Sequence, residues 1–234
     1  MSSAPLQDRA RVGVSACLLG QPVRYDGGHK EHPLLRAGLA PWLTLVPVCP
    51  EEELGLGTPR EPIQLTLAGE AIALRAPASG LDHTEAMARF ARARVENLVK
   101  QGLDGYVFKS RSPSCGLAVE VQGPEGPLPR LARGRFAEAL ALELPELPLC
   151  EEGDLDHEPT REAFLLRVRC HAWLRNPAPP DLAALRAFHE GLRADLDPPT
   201  HERLRGLLSE ALGPELLARY RSELLRALVG CQPS

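Results

Sequence analysis

Four short apolar runs in the first 150 residues each end in a cysteine or lead into a turn that carries one, and this limits what the chain can fold into. Arg11-Val-Gly-Val-Ser-Ala-Cys17 and Leu43-Thr-Leu-Val-Pro-Val-Cys49 read as buried strands. Gly105-Tyr-Val-Phe-Lys109, with Cys115 beyond it, is a third, and Leu147-Pro-Leu-Cys150 is a fourth. Between them, Leu65 to Leu74 splits into two alternating runs around Gly69-Glu70, the pattern of a hairpin. Asp82 to Gln101 is predicted to be a helix: Asp82 and Glu85 form an N-terminal box, Ala86, Phe90, Ala93 and Leu98 lie near one face, and Gly102 stops it. Phe136 to Leu144 is a second helix. Strands interleaved with helices predict an α/β, Rossmann-like domain with a mostly parallel sheet. Such sheets bind ligands beyond the carboxyl ends of their strands. Cys17, Cys49, Cys115 and Cys150 are therefore expected to converge on one crevice although they are far apart in sequence.

After Glu158 no strand pattern occurs. Four helical segments follow, Thr160–Arg175, Asp181–Ala194, Thr200–Leu212 and Pro214–Val229, joined by stiff connectors at Pro177–Pro180 and Pro198-Pro199. Asp181, Thr200 and Gly213-Pro214 are their predicted starts and Gly230 the last stop. The expected organisation is an α/β domain over 1–158 and a small all-α domain over 159–234. A length of 234 residues allows this at ~150 residues per domain.

Composition excludes several classes. A hydrophobic fraction of 44% with 25% charged residues is too apolar for a disordered chain. No window reaches the ~20 apolar residues of a membrane span, and the first residues lack a basic start followed by an apolar core, so a cytoplasmic protein is expected. The net charge of −4 argues against a polybasic DNA-coating surface. Charge is uneven: from Arg161 onward 11 arginines face 9 acidic residues, whereas the first 160 residues carry 16 basic and 22 acidic ones. Only Lys30, Lys100 and Lys109 are lysines, a bias that genome composition or a hot habitat explains as well as phosphate binding does. Six cysteines in a reducing compartment predict no disulfide framework. There is no Cys-x-x-Cys pair, so a metal site has to be assembled by the fold.

Three segments combine a cysteine with turn glycines and polar groups. They are Ser15-Ala-Cys17-Leu-Leu-Gly20 with Arg24-Tyr-Asp-Gly-Gly-His-Lys30, then Val46-Pro-Val-Cys-Pro-Glu51 with Glu53-Leu-Gly-Leu-Gly57, and Lys109-Ser-Arg-Ser-Pro-Ser-Cys-Gly116. A single such cysteine is most often a small buried hydrophobe. Three together, each in a Gly, Pro or Ser-rich loop at a strand end, point to a soft-metal site of zinc or iron–sulfur type. Three thiolates without a fourth would leave one iron of a cubane open. Glu51 can act as a general acid or base and Ser112 can donate or relay a proton. The alternatives are a helix-capping role for Glu51 and a turn at Ser112-Pro113.

These segments resemble the thiouracil desulfurase family, strongly over residues 10–158. Residues 160–229 more weakly resemble the second domain of its two-domain members, the tRNA 4-thiouridine desulfidases. The resemblance implies a 4Fe–4S cluster held by Cys17, Cys49 and Cys115, its fourth iron free to take the sulfur of a thiolated pyrimidine. It implies Glu51 and Ser112 as the acid/base pair of a non-redox hydrolysis that releases hydrosulfide. Asp26, Lys109 and Ser114 are candidate substrate contacts; for Asp26 a turn role is the simpler reading. Where relatives carry an acidic run after the last strand, this chain has Cys150-Glu151-Glu152, and Cys150 is either a bystander or a fourth ligand. Ala187-Phe-His-Glu-Gly-Leu-Arg193 keeps the relatives' first histidine but has Leu192 and Arg193 where they show His and Lys.

The leading expectation is a cluster-dependent desulfidase acting on 4-thiouridine, with tRNA as partner, no membrane and no DNA. Arg161, Arg167, Arg186 and Arg193 are then candidate RNA contacts, and an aromatic fraction of 4% favours shape and phosphate contacts over a stacking platform. One alternative is a desulfurase of free thiouracil or a thionucleoside. Another is a non-catalytic iron–sulfur or zinc sensor, which would need four-thiolate closure including Cys150. Oligomeric state is open.

Overall fold

The computed structural model describes residues 9–175, 181–209 and 213–230. The first eight residues, the Pro177–Pro180 connector, the end of the third tail helix at 210–212 and Cys231 lie outside the described residues. The chain divides into two compact units, Met1–His157 and Glu158–Ser234.

In chain order the first unit holds β1 (Arg11–Ser15), β2 (Thr44–Val48), α1 (Pro50–Glu53), β3 (Gln64–Ala68), β4 (Ala71–Arg75) and α2 (Thr84–Lys100). It continues with β5 (Gly105–Phe108), β6 (Val119–Gly123), β7 (Gly126–Ala132), α3 (Arg135–Glu143) and β8 (Leu149–Glu151). Four strands form a wholly parallel sheet in the order β2-β1-β5-β8. The chain leaves β1 to one side for β2 and returns on the other for β5, so strand order reverses between β1 and β5. At such a reversal the loops beyond the two carboxyl ends part and leave a crevice. Backbone approach inside the sheet is close: a Cβ on Gly13 of β1 would stand 2.3 Å from the Tyr106 ring of β5. Tyr106 stacks on Phe108 at 4.2 Å, and both join Val95, Leu98, Phe136 and Leu140 of α2 and α3 in the core covering the sheet. Cys115 belongs to the same cluster.

A second four-stranded sheet, β4-β3-β6-β7, has the expected hairpin at Gly69, a parallel β3–β6 pair and a β6–β7 hairpin that the sequence did not disclose. The predicted N-terminal box of α2 takes another form. Asp82 Oδ1 accepts from Thr84 N at 2.9 Å, while Thr84 Oγ1 accepts from Leu74 N at 2.8 Å and ties the helix start to β4.

The second unit contains α4 (Glu158–Leu174), α5 (Leu182–Gly191), α6 (Pro198–Leu207) and α7 (Pro214–Gly230). Asp181 caps α5 by accepting from Ala184 N. The α6 helix begins two residues before the expected Thr200 because Asp197 is its cap, accepting from Thr200 N with Pro198 at the first helical position. Its core gathers Leu185, Leu192, Leu204, Tyr220, Leu224 and neighbouring leucines, with Trp173 stacked on Phe188 at 3.9 Å. No helix among the described residues is long and apolar enough to cross a membrane.

Candidate active site

A cavity of about 700 Å³ opens at the carboxyl ends of β1, β2 and β5, and Cys17, Cys49 and Cys115 all line it, together with Glu51 and Ser112. Each thiol is placed by a different local device. Cys17 sits in a single 3-10 turn, Ala16–Leu19, that Gly20 ends at φ 82, and Lys30 N donates back to Cys17 O at 2.9 Å. Cys49 is the residue before α1; its N–H donates to Glu53 Oε1 at 3.1 Å, and Arg94 of α2 holds the other Glu53 oxygen at 2.7 Å. Pro50 at the first helical position starts this one-turn helix and brings Glu51 to the cavity. Cys115 ends a tight loop in which Ser112 Oγ accepts from Ser114 N and Cys115 N at 3.3 and 3.2 Å.

Burial pushes the Cys17 thiol up to about 11, with the neighbouring Cys49 adding to the effect. Burial also raises Cys49, and it raises Cys115 well above the ordinary thiol value, with charge on Glu51, Cys49 and Cys17 contributing. Among the described residues no three His, Cys, Asp or Glu groups close around a point as a single ion needs. Three thiols spaced round one cavity instead suit a polynuclear group, in which each sulfur addresses its own iron. The soft donors, and a cavity wall with no histidine among the described residues, fit a 4Fe–4S cluster.

Cys150 lies inside β8, paired with Val107, 4% exposed and outside the cavity lining. The two acids that follow it act on the site loops. Glu151 Oε1 accepts from Leu117 N at 2.6 Å, and Glu152, part of the cavity wall, holds Lys109 Nζ, Ser110 N and Ser110 Oγ. Lys109 therefore lines the cavity as a neutralised cation. Ser114 is fully buried and Asp26 accepts from Gly28 N at 3.0 Å, and neither belongs to the lining. Asp26 makes the turn that its Gly-Gly neighbours suggest. Lys30 and Arg111 also line the cavity, and among the described residues neither has an acidic partner. Sequence reasoning missed Glu152 as a loop clamp and Arg60, whose guanidinium grips Glu51 at 2.7 Å. The acidic pair after the fourth strand was a signal for the first; nothing local marks Arg60.

In the second unit the four candidate arginines have different surroundings. Arg167 is buried, and Arg186 donates from Nε and Nη2 to Leu208 O at 3.0 and 2.7 Å, closing the end of α6. Arg161 lies 3.8 Å from Glu162, and Arg193 is exposed. Leu192 is a core residue of this unit.

The family model for 2-thiouracil desulfurase matches residues 12–152, the span of both sheets and all three thiol loops. The solved structure of the 4Fe–4S-dependent thiouracil desulfidase TudS is similar to this chain at 32% identity and a TM-score of 0.55, covering 68% of this chain and 99% of that one. Protein YbbK of Bacillus subtilis strain 168, described as uncharacterized, is 34% identical over 108 residues, which is 44% of this chain and 71% of YbbK. By the extent of these matches and the thiol-lined crevice they span, the chain belongs to the 2-thiouracil desulfurase family of enzymes.

Proposed function

We infer that the protein hydrolyses the C=S bond of a thiolated pyrimidine, with Cys17, Cys49 and Cys115 holding a 4Fe–4S cluster and Glu51 and Ser112 moving protons. The observation that carries this reading is the meeting of those five side chains in one cavity from three distant loops. A bound cluster supplies an iron Lewis acid whose softness suits sulfur. The net reaction breaks the ring carbon–sulfur bond and forms a carbon–oxygen bond from water. Hydrosulfide and a proton leave, and no electrons are exchanged. Glu51 takes the proton of the attacking water. Ser112 Oγ accepts two backbone N–H groups, so its own hydroxyl proton is available to the departing sulfur or to the ring.

The substrate favoured is 4-thiouridine carrying phosphate, as a nucleotide or within tRNA. Lys30 and Arg111 at the cavity wall support an anionic group, which free thiouracil lacks. The exposed Arg193 and the arginine excess of the second unit support RNA contact. A cluster or zinc sensor closed by four thiolates is disfavoured, because Cys150 lies within β8, outside the lining of the cavity that the other three thiols share.

The test is anaerobic reconstitution, with iron and sulfide counted per chain, followed by hydrosulfide release from 2-thiouracil, 4-thiouridine 5′-monophosphate and thiolated tRNA. An iron-free protein, or one that releases no hydrosulfide from any of them, overturns the reading. Replacing Lys30 and Arg111 by Gln should raise KM for the nucleotide by ~10-fold each, the loss of one charge-assisted bond. The same changes should leave KM for the free base alone. Equal effects on both substrates would remove the phosphate from the proposal.

A further inference from the structure

Arg60 is a buried charge that the acid/base pair alone does not explain. Its side chain is 6% exposed, and it stands behind Glu51 rather than in the cavity wall. A guanidinium has five N–H donors, and here every one has an acceptor. Nε and Nη2 both donate to Glu51 Oε2, at 2.9 and 2.7 Å. Nη2 also donates to Val23 O at 2.9 Å, and Nη1 donates to Gly57 O at 2.8 Å and Thr58 Oγ1 at 3.3 Å. The backbone N–H of Arg60 donates to Tyr25 O at 2.9 Å.

Two features set this apart from an ordinary buried ion pair. Both contacts to Glu51 fall on a single oxygen, so among the described residues Oε1 has no protein donor. The remaining donors go to the main-chain carbonyls of Val23 and Gly57 and to Thr58 Oγ1, so the guanidinium takes its position mainly from the backbone. Glutamate has three rotatable bonds, and a misplacement of 1 Å in a reacting group can cost ~10²-fold in rate.

We propose that Arg60 is a positioning residue for the desulfidation: by fixing Oε2 it sets the direction in which Glu51 Oε1 faces the cavity. The proposal rests on the reading of Glu51 as the acid/base group. Lysine cannot substitute, since its three tetrahedral donors do not reproduce the planar fork.

The experiment compares Arg60→Lys, Glu51→Gln and the double variant in the full-length, anaerobically reconstituted chain, with 4-thiouridine 5′-monophosphate as probe. Iron per chain and the visible absorption of the cluster are read on the same samples. For Arg60→Lys, kcat is expected to fall ~10²-fold with KM within ~3-fold of the parent, the pattern of an interaction that counts only in the transition state. Iron content and absorption should not change. Adding Arg60→Lys to Glu51→Gln should bring no further loss, because the arm then has nothing to aim.

Full kcat in Glu51→Gln would sink the acid/base reading and Arg60 with it. Lost kcat in Glu51→Gln but parental kcat in Arg60→Lys overturns the positioning role alone. So does a multiplicative loss in the double variant, or a loss that follows iron content. Should Arg60→Lys fold poorly, Arg60→Ala with added guanidinium decides: rescue of kcat supports the proposal and its absence refutes it.

Discussion

Under the proposed function one oxygen of Ser112 has two capacities. Its lone pairs hold Ser114 N and Cys115 N, which closes the loop that presents Cys115, and its proton would serve the substrate. Ser112→Ala removes both functions. We expect kcat for hydrosulfide release to fall by at least ~10²-fold, the usual size of a lost proton donor. Ser112→Thr keeps donor and acceptors and should recover most of that loss. An Ala variant with parental kcat would show that the hydroxyl only shapes the loop. At this scale the sequence was informative where near neighbours in one loop face the same cavity, as with Cys49 and Glu51 or Ser112 and Cys115. It was silent on Arg60, nine positions from Glu51 on a different turn, because side-chain partnership across a loop leaves no periodic trace. It also offered Lys109 as a substrate contact without showing that Glu152, more than forty residues on, neutralises it.

The loop bearing Cys115 is fastened to α3 as an element. Arg135 N donates to Pro113 O at 3.1 Å, and Phe136 N and Ala137 N donate to Ser114 O at 2.9 and 3.2 Å, so the open N–H groups of the helix start hold the loop. Gly134 lets the two backbones meet: a Cβ there would lie 2.6 Å from the Ser114 carbonyl carbon and 2.8 Å from Cys115 N. Gly134→Ala should therefore move the loop and cost ~1–3 kcal/mol of stability, the usual cost of overpacking. The measurements are thermal unfolding and iron bound per chain, and both should fall. Unchanged iron content with a lowered midpoint would mean the loop tolerates the shift. Most elements of the first unit could be read from apolar period and turn residues. The β6–β7 hairpin could not, since Pro127 and Pro129 argue against a strand. The structure admits them because β7 is an edge strand, where missing N–H groups need no partner.

Across the whole molecule the two units depend on different conditions. The first unit gathers its thiols at the strand-order reversal between β1 and β5, a place that alternating strands and helices foretold in kind though not in register. The second unit was legible as four helices because its leucines recur at helical spacing, but the sequence did not show that His189 would be enclosed by it. His189 is 1% exposed; Nδ1 lies 3.1 Å from Tyr220 Oη, Nε2 lies 3.1 Å from His201 O, and the ring stacks on His201 at 4.1 Å. Burial holds its pKa below the ordinary 6.5, with the His201 ring and Arg205 acting in the same direction and Glu190 and the hydrogen bond to the His201 backbone opposing. The unfolded chain therefore takes up a proton as pH falls through about 6.5 while the folded unit does not, so stability falls below that pH until the folded value is reached. In a Trp42→Phe background, Trp173 is the remaining indole and reports on this unit alone. Its unfolding midpoint should drop between pH 7.5 and pH 5.5, and His189→Phe should flatten that drop while lowering the midpoint at pH 7.5 through loss of the two hydrogen bonds. An equally steep drop in His189→Phe would assign the titration to another group.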